Sequence, residues 1–251
     1  MPRFFLPSDS FDNEGGQAVI TGQDARHIAL ALRMAEGDPI LLCDMRQNEY
    51  SCVITSIRPD RVCARICEVS RSQSEPPSFI TLYQCIAKGD KMDTVIQKAV
   101  ETGVCRIVPV RSDRCVAKIT ADAEAQKVGR WQKIAAEAAG QSGRGIVPEV
   151  CPPVSFGEAL SMMERDRLYF ICYEGDGTLP LPELLKADTP ESVSFLIGPE
   201  GGISQSEIAL AASRKTPLAG LGKRILRTET ASSFVLSCIS FRYELGGIDQ
   251  K

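Results

Sequence analysis

Apolar and polar residues change rhythm partway along the chain. Over residues 1–74, short runs rich in β-branched residues are broken by Gly, Asp, Asn and Pro. They predict strands over Gln17–Ile20, Pro39–Asp44, Glu49–Ile57 and Arg61–Val69. Ile28, Ala29 and Leu32 recur at helical spacing, which predicts one short helix over Gln23–Met34. Short strands with a turn every ten or so residues point to a small barrel. The segment SRSQSEPPS, Ser70 to Ser78, is polar and Pro-containing and reads as a linker.

Beyond the linker, apolar runs alternate with helical patterns. Strands are predicted at Phe79–Ile86, Val104–Val110, Arg167–Tyr173, Val193–Ile197 and Leu218–Leu221. Helices are predicted at Asp90–Thr102, Ala121–Gln141, Ser155–Met163, Ser204–Arg214 and Thr230–Leu245. Ser155 with Glu158, and Ser204 with Glu207, have the spacing of capping boxes. Such alternation implies a mostly parallel sheet covered on both faces. The expected organisation is a β domain over 1–74 and an α/β domain over 75–251.

Charge changes this picture locally. The formal net charge is −3, yet the window from Ile86 to Lys118 holds seven basic and four acidic residues. A basic patch binds phosphates whatever the global sign. The ten cysteines lie mostly in apolar runs, and the only histidine is His27, so no zinc site is expected and no metal is called for. No leader or apolar run of membrane-spanning length is seen, and a reducing cytoplasm is the expected location.

Two loops carry the candidate chemistry. Ile197-Gly198-Pro199-Glu200-Gly201-Gly202 follows an apolar strand and precedes a capped helix. It is either a tight strand-to-helix turn or a place where backbone approaches a ligand at the carboxyl end of a strand. It lacks the Lys-Ser/Thr of a P-loop and the glycine fingerprint of dinucleotide sites. The second loop, Leu221-Gly222-Lys223-Arg224-Ile225-Leu226-Arg227-Thr228-Glu229-Thr230-Ala231, sets three basic residues before the last helix. Thr228 is placed to cap that helix, and Glu229 suits its positive end. On neighbouring strand ends the two loops would form one pocket.

These loops resemble the signature loops of SPOUT-class methyltransferases. More narrowly, the chain resembles the ribosomal RNA small-subunit methyltransferase E family. Further matches are Pro2-Arg3-Phe4-Phe5, His27 with Leu32-Arg33, Lys88-Gly89-Asp90-Lys91-Met92-Asp93, Gln97–Gly103, Arg130-Trp131 and Gln141-Ser142-x-Arg144. Gly140, where an acidic residue often stands, and Ser232-Ser233-Phe234 depart from the pattern. The resemblance implies an α/β, SPOUT-type parallel sheet with a C-terminal trefoil knot, preceded by a PUA-like β-barrel that helps hold RNA. It also implies a homodimer packed through the knots. The implied activity is transfer of a methyl group from S-adenosylmethionine to N3 of a uridine in 16S rRNA, near the decoding site of the small ribosomal subunit. A SPOUT enzyme acting on tRNA or at a ribose hydroxyl would carry similar loops. An assembly factor without catalysis would have no need of both.

The resemblance also implies roles for residues. Tyr173, Ile197, Gly198, Pro199, Glu200, Gly201, Gly202, Leu221, Gly222, Ile225, Leu226 and Thr230 are expected around the donor. Arg227 is expected to stabilise the uracil anion, with Glu200 or Glu229 as proton acceptor. Arg3, Arg26, His27, Arg33, Lys88, Lys91 and Arg144 are expected to meet RNA. Arg3, Arg33, Lys88 and Lys91 would form one phosphate track, with Lys91 away from the donor. The apolar last helix, with Phe234, Val235, Leu236, Ile239 and Phe241, is the expected dimer contact.

Overall fold

The β-branched runs of the N-terminal part pair into one mixed sheet. The computed structural model describes residues 1–117, 119–186 and 188–246, so Lys118 of the basic window lies outside the described residues. The chain divides into two units, Met1–Glu75 with Ala139–Val147, and Pro76–Ala138 with Pro148–Lys251.

In the first unit the strands are β1 (Arg3–Phe5), β2 (Phe11–Asp12), β3 (Gln17–Thr21), β4 (Pro39–Cys43), β5 (Asn48–Arg58) and β6 (Arg61–Arg71). Their order is β1-β4-β5-β6-β3-β2, with β1 parallel to β4 and the rest antiparallel. Ile20, Ile28, Ile40, Leu42, Ile54 and Val62 form the buried core, and Phe11 stacks on Tyr50. The predicted helix is shorter and wider than expected: α1 (Gly22–Arg26) runs into a π-helical turn over His27–Ala31. The wide turn changes the facing of the chain. Ile28 stays buried, but Leu32 is turned outward and Leu30 is 63% exposed.

Two arginines expected at RNA are structural here. Arg144 is only 2% exposed and makes a bidentate pair with Glu75 through Nε (3.0 Å) and Nη2 (2.6 Å). Glu75 also accepts the backbone N–H groups of Gly145 and Ile146. Arg3 donates to Glu49 at 2.8 Å and to the Arg144 carbonyl at 2.9 Å. Both guanidinium groups thus stitch the end of the chain's longest helix into the first unit, rather than standing free for phosphate.

The second unit is a parallel sheet in the order β10-β8-β7-β13-β11-β14-β12, with β9 beside β8. Its strands are β7 (Phe79–Cys85), β8 (Arg106–Arg111), β9 (Glu149–Val150), β10 (Val154–Ser155), β11 (Leu168–Cys172), β12 (Leu179–Pro180), β13 (Ser192–Ile197) and β14 (Leu218–Gly220). Its helices are α2 (Lys91–Glu101), α3 (Ala121–Ser142, whose last turn belongs to the first unit), α4 (Phe156–Met163), α5 (Leu181–Leu184), α6 (Gln205–Ser213) and α7 (Thr228–Tyr243). Both capping boxes form, Ser155 with Glu158 and Ser204 with Glu207. Met92, Val95, Ile96, Ala99 and Val100 bury one face of α2.

The short strands β9, β10 and β12 escape the sequence reading because each has only two residues. The final helix begins earlier than Thr230. Arg227 is its N-cap, and Thr228, expected as the cap, lies in its first turn. Val235, Leu236 and Ile239 are buried within this chain, whereas Phe234 and Phe241 remain exposed.

The buried Glu75–Arg144 pair generates the first prediction. Glu75→Ala strands a buried guanidinium and two backbone N–H groups. It should lower unfolding free energy by about 3 kcal/mol or more. Urea unfolding monitored by circular dichroism checks this, and a loss below about 1 kcal/mol would contradict it.

Candidate functional site

Register brings four strand ends to one edge of the second unit. Gln84 of β7 pairs with Ile197 of β13, Ile197 with Cys172 of β11, and Cys172 with Ala219 of β14. The loops that follow β11, β13 and β14 therefore rise together, where α/β sheets bind ligands. They enclose a cavity of about 490 Å³. Of the residues expected around the donor, Tyr173, Ile197, Gly198, Pro199, Glu200, Gly202, Leu221, Gly222, Ile225 and Leu226 line it, and so does Arg227.

A buried hydrogen-bond chain joins two of these loops. Gln84 Nε2 donates to Thr228 Oγ1 at 2.9 Å, and Thr228 Oγ1 donates to the Gly198 carbonyl at 2.8 Å. This tertiary use of the hydroxyl explains why Thr228 does not cap α7. The loop after β13 closes on itself through Gly202 N–H to Pro199 O. Gly202 has φ +71°, and a Cβ there would stand 2.7 Å from Glu174 Oε1. The positive φ is what calls for glycine here, because the Glu174 carboxylate is the far end of a flexible side chain that can give way. The loop after β8 braces this turn from outside: Arg114 donates to the Gly201 carbonyl, Ser112 to Glu207, and Ser204 to Asp113.

Two expected donor contacts stand elsewhere. Gly201 and Thr230 are absent from the cavity lining. Gly201 faces Arg114, and Thr230 is an exposed first-turn residue whose N–H bonds the Arg227 carbonyl. Cys172, Glu174, Thr178, Gly220, Lys223, Arg224, Thr228 and Ala231 line the cavity without having been foreseen as donor contacts. Lys223, Arg224, Thr228 and Ala231 lie in the second signature loop, so their place in that loop was the available signal. Glu174 and Thr178 gave none.

Lys91 is the largest correction. It lines the cavity, with Nζ 3.1 Å from Glu200 Oε1 and 3.8 Å from Glu229 Oε2. Lys91 therefore shares one cavity with the loops expected around the donor instead of standing apart from them, because α2 starts directly against the loop after β13. Glu200 also accepts the Lys88 N–H at 3.1 Å. Burial pushes the Glu200 carboxyl up, but its own N–H, that of Lys88 and the Lys91 ammonium outweigh this and hold it below its ordinary value. A carboxylate so held is a weak base. Glu229 is not on the cavity wall but behind Lys91. The geometry therefore favours neither as proton acceptor.

Of the other residues expected at RNA, Lys88 is exposed in the second unit, and Arg26, His27 and Arg33 are exposed in the first. His27 meets Phe4 edge-on, and Arg33 has φ 51°. Among the described residues no cluster of three His, Cys, Asp or Glu could hold a metal ion. No described helix is long and apolar enough to cross a membrane.

A parallel sheet with a glycine-lined cavity at its carboxyl edge defines a small-molecule-binding α/β domain, here joined to a small β domain. Comparison with known proteins gives this class a family. The model of the RNA methyltransferase domain matches residues 74–240, and that of the RNA methyltransferase PUA domain matches residues 20–67. The ribosomal RNA small subunit methyltransferase E of Bacillus subtilis is 36% identical over 256 residues, covering 100% of both chains. That of Mesomycoplasma hyopneumoniae is 34% identical over 77% of this chain and 82% of its own. The crystal structure of the Neisseria gonorrhoeae enzyme of that name, bound to S-adenosyl methionine, matches with a TM-score of 0.85 at 32% identity, covering 97% of this chain and 98% of that one. The chain belongs to the ribosomal RNA small subunit methyltransferase E family.

The Glu200 site predicts a pH effect. A carboxyl held below its ordinary value of 4.5 adds stability that is present above that value and lost as pH falls through the lower, folded one. Wild type should exceed Glu200→Gln in stability near neutral pH, and the gap should close as pH drops below about 4. Urea unfolding of both proteins from pH 7 to 3 checks it; a pH-independent gap would contradict it.

Proposed function

We propose that this protein transfers a methyl group from S-adenosylmethionine to N3 of a uridine in 16S rRNA, near the decoding site of the small ribosomal subunit. The observation that carries the reading is the cavity itself. Two glycine-bearing loops, rising from β13 and β14 on either side of β11, enclose a volume suited to a nucleoside-sized ligand, with the Lys91 and Arg227 cations on its wall. The donor-bound Neisseria gonorrhoeae relative supports the choice of ligand. When bound, the donor supplies an electrophilic methyl group.

The residues divide the work. Backbone of Ile197, Gly198 and Gly202, with cover from Tyr173, Leu221, Ile225 and Leu226, holds adenine and ribose. Ile225 is 80% exposed, which leaves it free to close over a ligand. Arg227 stabilises the anion that forms as N3 loses its proton, and the proton passes to solvent. A uracil in structured RNA must also be turned out of its stack. Arg26, His27, Arg33 and Lys88 meet the RNA, chiefly its phosphates, which position without reading sequence.

We infer a homodimer in which Phe234 and Phe241, exposed on α7, meet the partner. We also infer a trefoil knot. Its support is the chain path: β14 lies outside β11, and the next segment returns across the sheet to pack α7 on α2 and β13. The setting is the cytoplasm, and no metal is needed.

Methyl transfer from labelled donor to small subunits lacking the modification, with mass spectrometry of the nucleosides, tests the reading. N3-methyluridine at a single site is expected, at an undiminished rate with a chelator present; methyl on a ribose, or none, would contradict it. Gly202→Val should reduce donor affinity at least about tenfold by calorimetry, since a β-branched residue strains a turn held at φ +71°.

A further inference from the structure

Lys91 occupies a position that its helix disfavours. It is the first residue of α2, where the helix dipole favours anions and repels cations. Two carboxylates offset that cost from other elements: Glu200, in the loop after β13, and Glu229, in the first turn of α7. Glu229 Oε2 is buried with no hydrogen-bond partner and acts on Lys91 only through charge, at 3.8 Å. A cation that stability alone would place elsewhere has been fixed at the cavity wall.

The cradle does not use up the ammonium. Lys91 Nζ carries three N–H donors, and Glu200 takes one at 3.1 Å. The side chain keeps 35% of its exposure and lines the cavity. N–H donors therefore remain for an acceptor inside. The donor's carboxylate is a poor match, because it would be the third carboxylate around one ammonium. Lys223 and Arg224, on the same wall, suit it better. A carbonyl that is neutral on arrival and gains charge only as the reaction proceeds fits the cradle without that repulsion.

Uracil offers such a group. Its N3–H lies between two carbonyls. When that bond breaks, the proton goes to solvent, and the electron pair left on N3 is shared with O2 and O4. We propose that Lys91 is a catalytic residue that donates a hydrogen bond to one of these oxygens, complementing Arg227 and favouring the uracil anion from which N3 can be methylated. The proposal rests on the uridine-N3 reading above. Glu200 and Glu229 are positioning residues that aim the ammonium, not bases. The other charged groups on the wall are Glu174, Lys223 and Arg224. Preorganised donors aimed at developing charge are among the strongest catalytic devices.

The test uses a small-subunit rRNA fragment carrying 5-fluorouridine at the position that mass spectrometry identifies as methylated. The fluorine-19 shift of that base, followed against pH in the donor-free complex, reports ionisation at N3 without any turnover. Wild type should lower the N3 pKa by roughly one to two units relative to free RNA. Lys91→Met should lose about one unit of that shift, and Lys91→Arg, which keeps the cation and its donors, should keep most of it. Circular dichroism and calorimetry confirm that both variants fold and bind donor. The ascending limb of the pH–rate profile, which follows formation of the N3 anion, should move to higher pH with Lys91→Met by the same interval. If wild type and Lys91→Met titrate alike, the proposal is overturned. It is equally overturned if Lys91→Met loses donor affinity while the base titration is unchanged, since Lys91 would then serve the donor's carboxylate. Methyl found anywhere but uridine N3 in the nucleoside analysis would instead sink the underlying reading, before Lys91 is tested.

Discussion

One threonine hydroxyl holds the cavity in shape. Thr228 Oγ1 accepts from the buried Gln84 amide and donates to the Gly198 carbonyl, so β7, the loop after β13 and the start of α7 meet at a single oxygen. A buried hydroxyl flanked by a donor and an acceptor has a fixed role, and removing it leaves both partners unsatisfied. Gln84 Nε2 also donates to the Cys85 carbonyl, so its amide cannot turn away. The parallel sheet brings strand ends side by side, but it does not fix the loops above them. The Thr228 bridge does, and it commits α7 to begin where Arg227 lines the cavity and Glu229 stands behind Lys91.

Around that bridge the electrostatics are arranged in two shells. Glu207, itself buried, takes the Ser112 hydroxyl and the Asp113 N–H, while Asp113 takes Ser204 and Ser206. These contacts fix the loop after β8 against the glycine turn from outside. Inside, Lys91 is set between Glu200 and Glu229. Carboxylates that could have been read as bases are instead spent on holding a cation. The chemistry this favours is stabilisation of a developing anion rather than proton abstraction by a carboxylate. It suits an acid as weak as a uracil N–H, for which a carboxylate is a poorly matched base.

What the sequence made legible follows the range of the interactions involved. The capping boxes at Ser155 and Ser204, the apolar face of α2 and the strand-to-helix rhythm depend on residues a few places apart, and each forms as read. The two cavity loops were legible because glycines and basic residues cluster within each. Lys91 was misplaced because its partners lie more than a hundred residues away, and nothing local distinguishes a cavity lysine from a solvated one. Arg144 was misread for the same reason: its partner Glu75 is 69 residues distant, in the segment read as a linker. The π-helical turn at His27–Ala31 breaks the 3.6-residue rule on which the Leu32 reading depended.

The claim that the Thr228 bridge builds the donor site is open to a direct measurement. Valine matches threonine in shape but can neither donate nor accept, whereas serine retains both functions. Calorimetric titration of S-adenosylmethionine into folded Thr228→Val and Thr228→Ser decides the matter. The bridge predicts that Thr228→Val binds at least about tenfold more weakly than wild type and that Thr228→Ser stays within about threefold. Thr228→Val binding the donor with wild-type affinity would contradict it.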